Sequence, residues 1–392
     1  MQSQEGTTAR REVEAEMKTK GAILWGTDQP WSVEEIEIGD PVAGEVQIRL
    51  ETAGMCHSDH HIVTGATPMP AFPVMGGHEG AGVITKLGPN CPADLAVGDH
   101  VILSFIPACG RCPACVAGHM ALCDLGAGLL MGQAISDGTY RIQARGENVI
   151  PMCLLGTFSP YMTVHHTSVV KIDPTIPFEV ACLVGCGVPT GFGSSTHVAQ
   201  VSPGETVVIA GIGGVGMSAL QGAVLSGASK VVAIDPNPWK REQAQKFGAT
   251  HTYESMAAAI MPLMEATEGR MAEKVILTMG EMHGDYVEEG LILTAKAGTL
   301  VVTSMGRMDA GDVKMNSFLL SMLQKTVKGC IFGGGNARQD APRLLQLYKS
   351  GQLNLDDMVT RSYSLEEINQ GYQDMLDGKN IRGIIRYTEN DW

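Results

Sequence analysis

The stretch Thr206-Val-Val-Ile-Ala-Gly-Ile-Gly-Gly-Val-Gly216, running on through Met217–Ser226 to Lys230-Val-Val-Ala-Ile-Asp235, decides how this chain is read. Thr206–Ala210 is a short, mostly β-branched apolar run, which favours a strand buried on both faces. Met217–Ser226 has helical spacing, and Lys230–Ile234 is a second β run. Strand, glycine turn, helix and strand make a βαβ unit, hence a parallel sheet covered by helices on both faces. Within it, Gly211, Gly213 and Gly216 spell G-x-G-x-x-G, and Asp235 follows nineteen residues after Gly216. The motif alone is weak; in this setting it is a dinucleotide fingerprint. Gly211 permits the tight turn. Gly213, followed by Gly214 and Val215 at the helix start, lets the backbone approach a pyrophosphate, which the helix dipole favours. Gly216 allows close packing. Asp235 can accept hydrogen bonds from a ribose diol and would repel a 2′-phosphate. Pro236-Asn-Pro-Trp239 offers no Arg to hold one. NAD is therefore expected over NADP; the competing reading is a glycine turn without a nucleotide.

Outward from this unit, residues 188–329 continue to alternate strand and helix, with Trp239–Phe247 as the next helix. From Lys20 to Gly187 the pattern is short β segments, such as Val46–Leu50 and Gly82–Thr85, punctuated by Pro and Gly. The last sixty residues hold one clear helix after Ser364-Leu-Glu-Glu367, a capping box. The expected fold is α/β. A mostly-β unit, 17–187 completed by 330–392, carries a doubly wound parallel-sheet nucleotide unit, 188–329. Residues 1–16 read as a solvated, flexible tail.

Composition narrows the function classes. With 42 acidic against 28 basic residues the net charge is −14, which argues against nucleic acid. The uncharged run Thr206–Ser229 has the length of a membrane span but breaks into strand, glycine turn and helix. With no apolar leader at the start, the expectation is a cytoplasmic protein with no membrane partner. Ten cysteines in a reducing compartment point to metal more than to disulfides.

Four of them, Cys109, Cys112, Cys115 and Cys123, form C-x2-C-x2-C-x7-C. Four thiolates this close can surround one tetrahedral zinc, with Gly110 and Pro113 suiting the turns. An iron–sulfur cluster competes, but the ferredoxin run has a shorter last gap followed by Pro. The quartet leaves no open position, so the expected role is structural. Cys56, His78 and Cys186 sit in three separated pieces, C-H-S-D, G-G-H-E-G-A-G and G-C-G-V-P-T-G. Each can bind zinc, yet spacing alone does not bring them together, and a lone His or Cys is more often a core residue.

In their order along the chain, these pieces, the quartet, D-G-T at 137–139 and the glycine loop resemble the zinc-dependent medium-chain alcohol dehydrogenases from Lys18 to Tyr387. Ser104–Cys112, Cys123–Ala127 and Asp377–Arg382 resemble its nicotinoprotein branch, which keeps NAD bound and uses an artificial nitrosoaniline acceptor. The resemblance implies a GroES-like catalytic unit beside a Rossmann unit. It implies two zinc ions per chain, with Cys56, His78 and Cys186 holding the catalytic one and leaving a position for an alcohol or aldehyde. Hydride would pass to tightly bound NAD, reoxidised by an external electron acceptor.

By the same likeness, Ser58 and His61 begin and end a proton relay, and Asp59 and Glu79 orient metal-bound groups. Their plainer readings are a turn Ser, a surface His and solvated loop charges. His57 stands where relatives often have a pyrophosphate-binding Arg. Arg382 matches a second such Arg, Lys240 an adenosine-side contact and Thr190 a residue beside the nicotinamide. Phe105 matches a pocket wall, with Met152 and Met305 as further candidates. Asp124–Tyr140 carries no Lys or Arg and Thr64–Val74 no charge, which favours an apolar or aromatic primary alcohol over a glutathione adduct. Two alternatives remain: a dehydrogenase exchanging free NAD, including an S-hydroxymethylglutathione type, and a non-enzymatic zinc- and nucleotide-binding protein. The resemblance also implies a homodimer or homotetramer joined through sheet edges of the nucleotide unit, for which Gly298–Thr303 is the candidate.

Overall fold

The computed structural model describes residues 17–392; the expected tail at 1–16 lies outside the described residues. The parallel sheet runs in the order His251–Tyr253, Lys230–Ile234, Thr206–Ala210, Ala272–Leu277, Thr294–Val302, Thr326–Gly329, and every pairing is parallel. All five residues of Thr206–Ala210 are buried, as their apolar run demands. The strand order reverses between Thr206–Ala210 and Ala272–Leu277, and ligands of such sheets bind at the carboxyl ends of strands flanking that point. Helices Gly214–Leu225 and Pro238–Lys246 follow their strands as the periodicity indicates. Asn237 caps the second by accepting the Trp239 N–H, and Pro238 opens it without losing a hydrogen bond.

Two expectations change. Gly298–Thr303 is not a sheet edge: Thr294–Val302 pairs with a strand on each side. The edge on that side is Thr326–Gly329, whose four mostly exposed residues carry too little apolar pattern to be read as a strand. The C-terminal stretch also holds a second helix, Ala337–Lys349, capped by Asn336. Pro342 interrupts its periodicity in the sequence, yet Ala341, Leu344 and Leu345 are buried in the core.

The remaining strands form two largely antiparallel sheets. One runs Val169–Lys171, His100–Leu103, Glu79–Leu87, Glu45–Gly54, Arg382–Arg386, Val359–Tyr363, with Tyr161–His165 also on Glu45–Gly54. Thus the C-terminal strand returns to the first half of the chain, with Ile384 opposite Gly54. A single apolar cluster reaches from Val207 and Leu220 through Leu183 and Phe332 to Ile102 and Ile384. That shared core fixes the parallel sheet against the β unit, and a cleft lies along their junction.

Candidate functional site

Three strand and helix ends meet at this junction. Cys56 precedes helix His57–Val63, just after strand Glu45–Gly54. His78 precedes strand Glu79–Leu87, whose Glu79 lies opposite Gly54. Cys186 stands just before helix Gly187–Gly193. One ligand atom each from Cys56, His78, Glu79 and Cys186 lies within 4.8 Å of the others. The fold therefore supplies the convergence that spacing could not.

Glu79 is already engaged. One carboxylate oxygen accepts the Gly187 N–H at 3.1 Å and the other pairs with the Arg382 guanidinium. Two sulfurs and an imidazole remain, a donor set that suits zinc with a position to spare. A hydrogen bond from Cys186 holds the Cys56 thiol well below its ordinary range and raises Cys186 in turn. A divalent cation replaces such a shared proton by binding both sulfurs as thiolates. His78 Nδ1 lies 3.4 Å from Asp59 Oδ1, which also accepts the Gly77 N–H at 2.7 Å. Asp59 and Glu79 are fully buried, so neither is a solvated loop charge. Burial pushes Glu79 up to about 7, while Arg382 pulls it down.

Ser58 Oγ is 3.6 Å from Cys56 Sγ. His61 is buried rather than superficial: Nε2 sits 2.9 Å from the Gly280 carbonyl, and Nδ1 has no partner. Since a carbonyl only accepts, Nε2 carries the hydrogen and Nδ1 is free to take a proton. His57 packs on Gly280, where an added Cβ would come 2.7 Å from its Nε2. Burial lowers His57 to about 4, so it is neutral at pH 7 and does not replace the charge of an Arg.

The cleft has a volume of about 550 Å³. Gly211, Gly213, Gly214, Val215, Asp235 and Lys240 line one wall, and Cys56, His57 and Arg382 face them. Gly213 opens onto free space, whereas a Cβ on Gly216 would come 1.9 Å from the Gly211 carbonyl oxygen. Gly211 has φ +91°, the left-handed conformation the turn requires. Gly214 is forced by Arg382, whose Cδ lies 2.1 Å from where a Cβ would stand. The Asp235 carboxylate accepts the N–H groups of Ile212 at 2.8 Å and Asn237 at 2.9 Å. It thus sits at the carboxyl end of its strand with each oxygen oriented by a backbone amide. These features fit a dinucleotide. Thr190 lies one turn into Gly187–Gly193 with its hydroxyl buried and unpartnered.

Phe105 meets His78 edge-on at 5.7 Å and Phe332 at 5.2 Å. Met152 is buried in the cluster against which Phe105 packs. Met305 stands apart in character: it is 44% exposed. The sequence reading missed Phe332 and Tyr372, because each lies far along the chain from the motifs it approaches.

The quartet is local, as its spacing suggests. Cys109 and Cys115 sulfurs are 3.9 Å apart, Cys112 and Cys123 4.0 Å, and all four lie within 4.8 Å. Ligands about 2.3 Å from one tetrahedral zinc would sit about 3.8 Å apart. The N–H groups of Arg111 and Cys112 point at Cys109 Sγ, that of Asp124 at Cys112 Sγ, and that of Cys109 at Cys123 Sγ. Such donors favour thiolate, and those on Cys109 lower it to about 6.

Residues 33–174 match the alcohol dehydrogenase GroES-like domain and residues 214–350 the zinc-binding dehydrogenase domain. Alcohol dehydrogenase B of Mycobacterium tuberculosis is 62% identical over 96% of this chain and 100% of its own length. An NDMA-dependent alcohol dehydrogenase of Amycolatopsis methanolica is 45% identical over 95% of this chain and all of its own. Among solved structures, benzyl alcohol dehydrogenase of Acinetobacter calcoaceticus superposes with a TM-score of 0.85 at 27% identity, covering 95% of this chain and 100% of that one. With the converging ligands and the glycine-loop cleft in place, these likenesses make the chain a member of the zinc-dependent medium-chain alcohol dehydrogenase family.

Proposed function

We propose that this protein interconverts primary apolar or aromatic alcohols and their aldehydes using NAD that stays bound and is reoxidised by an external acceptor. The observation that carries the reading is the meeting of Cys56, His78 and Cys186 at a cleft shared with the glycine loop and Asp235. Zinc held there supplies a Lewis acid, and NAD along the cleft supplies the hydride acceptor. Ser58, beside Cys56, receives the alcohol's proton, and the free Nδ1 of His61 takes it up. Asp235 receives the ribose diol. Arg382, Lys240 and the glycine-loop amides face the phosphates, with His57 contributing contact without charge. Thr190, whose buried hydroxyl has no partner, would stand beside the nicotinamide. The working division is 17–187 with 330–392 as catalytic unit and 188–329 as NAD unit.

Retention of NAD is supported by hydrogen bonds that cross between the two units, among them three from the NAD unit to residues 61, 66 and 378. Asn237 Nδ2 donates to the Gly378 carbonyl at 2.9 Å, near Asp235. His61 bonds Gly280 at 2.9 Å, and the Met308 N–H donates to the Ala66 carbonyl at 3.0 Å. In this reading such bonds help hold the two units together around a bound dinucleotide. The 45% identical NDMA-dependent relative favours the same reading. The aromatic surroundings of His78, the uncharged segment Thr64–Val74 and the benzyl alcohol relative favour an apolar substrate over a glutathione adduct. The unpaired edge Thr326–Gly329, with exposed Phe318, Met322 and Val327 nearby in sequence, suits pairing with a second copy. Among the described residues no helix is long and apolar enough to cross a membrane; a cytoplasmic setting remains part of the proposal.

The test is nucleotide content together with turnover of benzyl alcohol by a nitrosoaniline acceptor without added NAD. A second zinc at the quartet is tested separately. Cys112→Ser should lose one of two zinc ions per chain and melt roughly 5 °C lower or more. Unchanged metal content and melting would remove zinc from that loop.

A further inference from the structure

Tyr372 belongs to no motif, yet it is buried under the site. It sits on helix Ile368–Leu376, with its ring stacked on His60 at 6.5 Å and packed near Trp31 at 6.3 Å and Phe158 at 6.2 Å. That aromatic nest leaves the ring little freedom. The hydroxyl is buried and has no hydrogen-bond partner. Asp59 presents the complementary deficit. Its Oδ1 serves both Gly77 and His78, while its Oδ2 is buried with no partner. A buried carboxylate needs donors on both oxygens. The Tyr372 ring brackets the carboxylate's surroundings: it stacks on His60, next to Asp59 in the chain, and packs near Phe158, which lies against Gly77, the donor to Asp59 Oδ1. Burial, with Asp59 adding to it, raises the phenol's pKa well above the ordinary value, so it stays a donor.

We propose that Tyr372 is a positioning residue whose hydroxyl donates to Asp59 Oδ2 and thereby fixes the imidazole of His78 at the three-ligand site. The inference rests on the reading that Cys56, His78 and Cys186 hold zinc. Partners behind a ligating His set its ring orientation and basicity, and losing one weakens metal affinity about 10- to 100-fold. Tyr372 extends that chain by one link, from helix Ile368–Leu376 through Asp59 to His78. The same helix leads into Asp377–Arg382, so one element supports both the metal site and a wall of the cleft.

The experiment follows zinc release from the purified holoenzyme to a chromophoric chelator, with the quartet zinc as an internal reference. Tyr372→Phe removes only the hydroxyl from a ring that keeps its packing. It should speed release of one zinc about 10- to 100-fold and leave the other unchanged. It should also shift the visible spectrum of enzyme carrying cobalt at the three-ligand site. Asp59→Asn should do the same, and adding Tyr372→Phe to it should change nothing further, because the two act in series. Equal release from wild type and Tyr372→Phe, or effects that multiply in the double variant, would overturn the proposal. A wild-type protein with zinc only at the quartet would instead overturn the reading beneath it.

Discussion

Cys186→Ser should abolish turnover, by roughly 10³-fold or more, while the protein keeps its fold and one zinc per chain. A bound Lewis acid is worth several kcal/mol of transition-state stabilisation, and each ~1.4 kcal/mol is a factor of ten. The hydroxyl that replaces the thiol is a poor ligand for a borderline-soft ion, so only Cys56 and His78 remain. Glu79 does not step in as a third, because Gly187 and Arg382 hold both of its oxygens. The quartet, local to residues 109–123, should keep its ion and serve as the control. Metal analysis beside steady-state rates checks this. Retention of two zinc ions with near-normal rates would dismiss Cys186 as a ligand.

Arg382→Met carries the second large effect, this time on stability. Arg382 and Glu79 form an ion pair buried on both sides, and Arg382 also packs against Gly187 and Gly214. Removing one member of such a pair costs about 3–5 kcal/mol, because the other charge is stranded. Glu79 would then lose the guanidinium that opposes its burial and rise further above about 7. An acid whose folded pKa exceeds its unfolded value favours the fold when protonated. The variant should therefore lose stability as pH climbs from about 4.5 through the folded pKa of Glu79. Adding Glu79→Gln removes the stranded charge and should restore much of the loss and flatten that pH dependence. Urea melts at pH 5 and pH 8 read both effects. A single variant as stable as wild type at pH 8 would contradict the role given to the pair.

What was legible in the sequence was what contiguous residues determine. The quartet and the glycine loop needed only neighbours along the chain, and both take the local form their spacing implies. Gly216 is a refinement: it is required by the Gly211 carbonyl within its own turn. Convergence of Cys56, His78 and Cys186 depends on strand register between distant segments, such as Gly54 opposite Glu79. No periodicity encodes that, and only the family likeness anticipated it. The burial of His61 was not legible, because its partner is a backbone carbonyl of Gly280, which leaves no side-chain signal. Tyr372 was invisible for the same reason as Phe332: each is a single aromatic far along the chain from the motifs it approaches. Helix Ala337–Lys349 was hidden by Pro342, and the true sheet edge by its shortness.

The measurement that bears most directly on the account is the nucleotide content of the purified protein, taken with turnover in the absence of added cofactor. Denaturation of extensively washed enzyme should release close to one NAD(H) per chain. The native enzyme should oxidise benzyl alcohol with a nitrosoaniline acceptor and no added nucleotide. Protein that releases no nucleotide and turns over only when NAD is supplied would contradict cofactor retention and leave an ordinary NAD-exchanging dehydrogenase in its place.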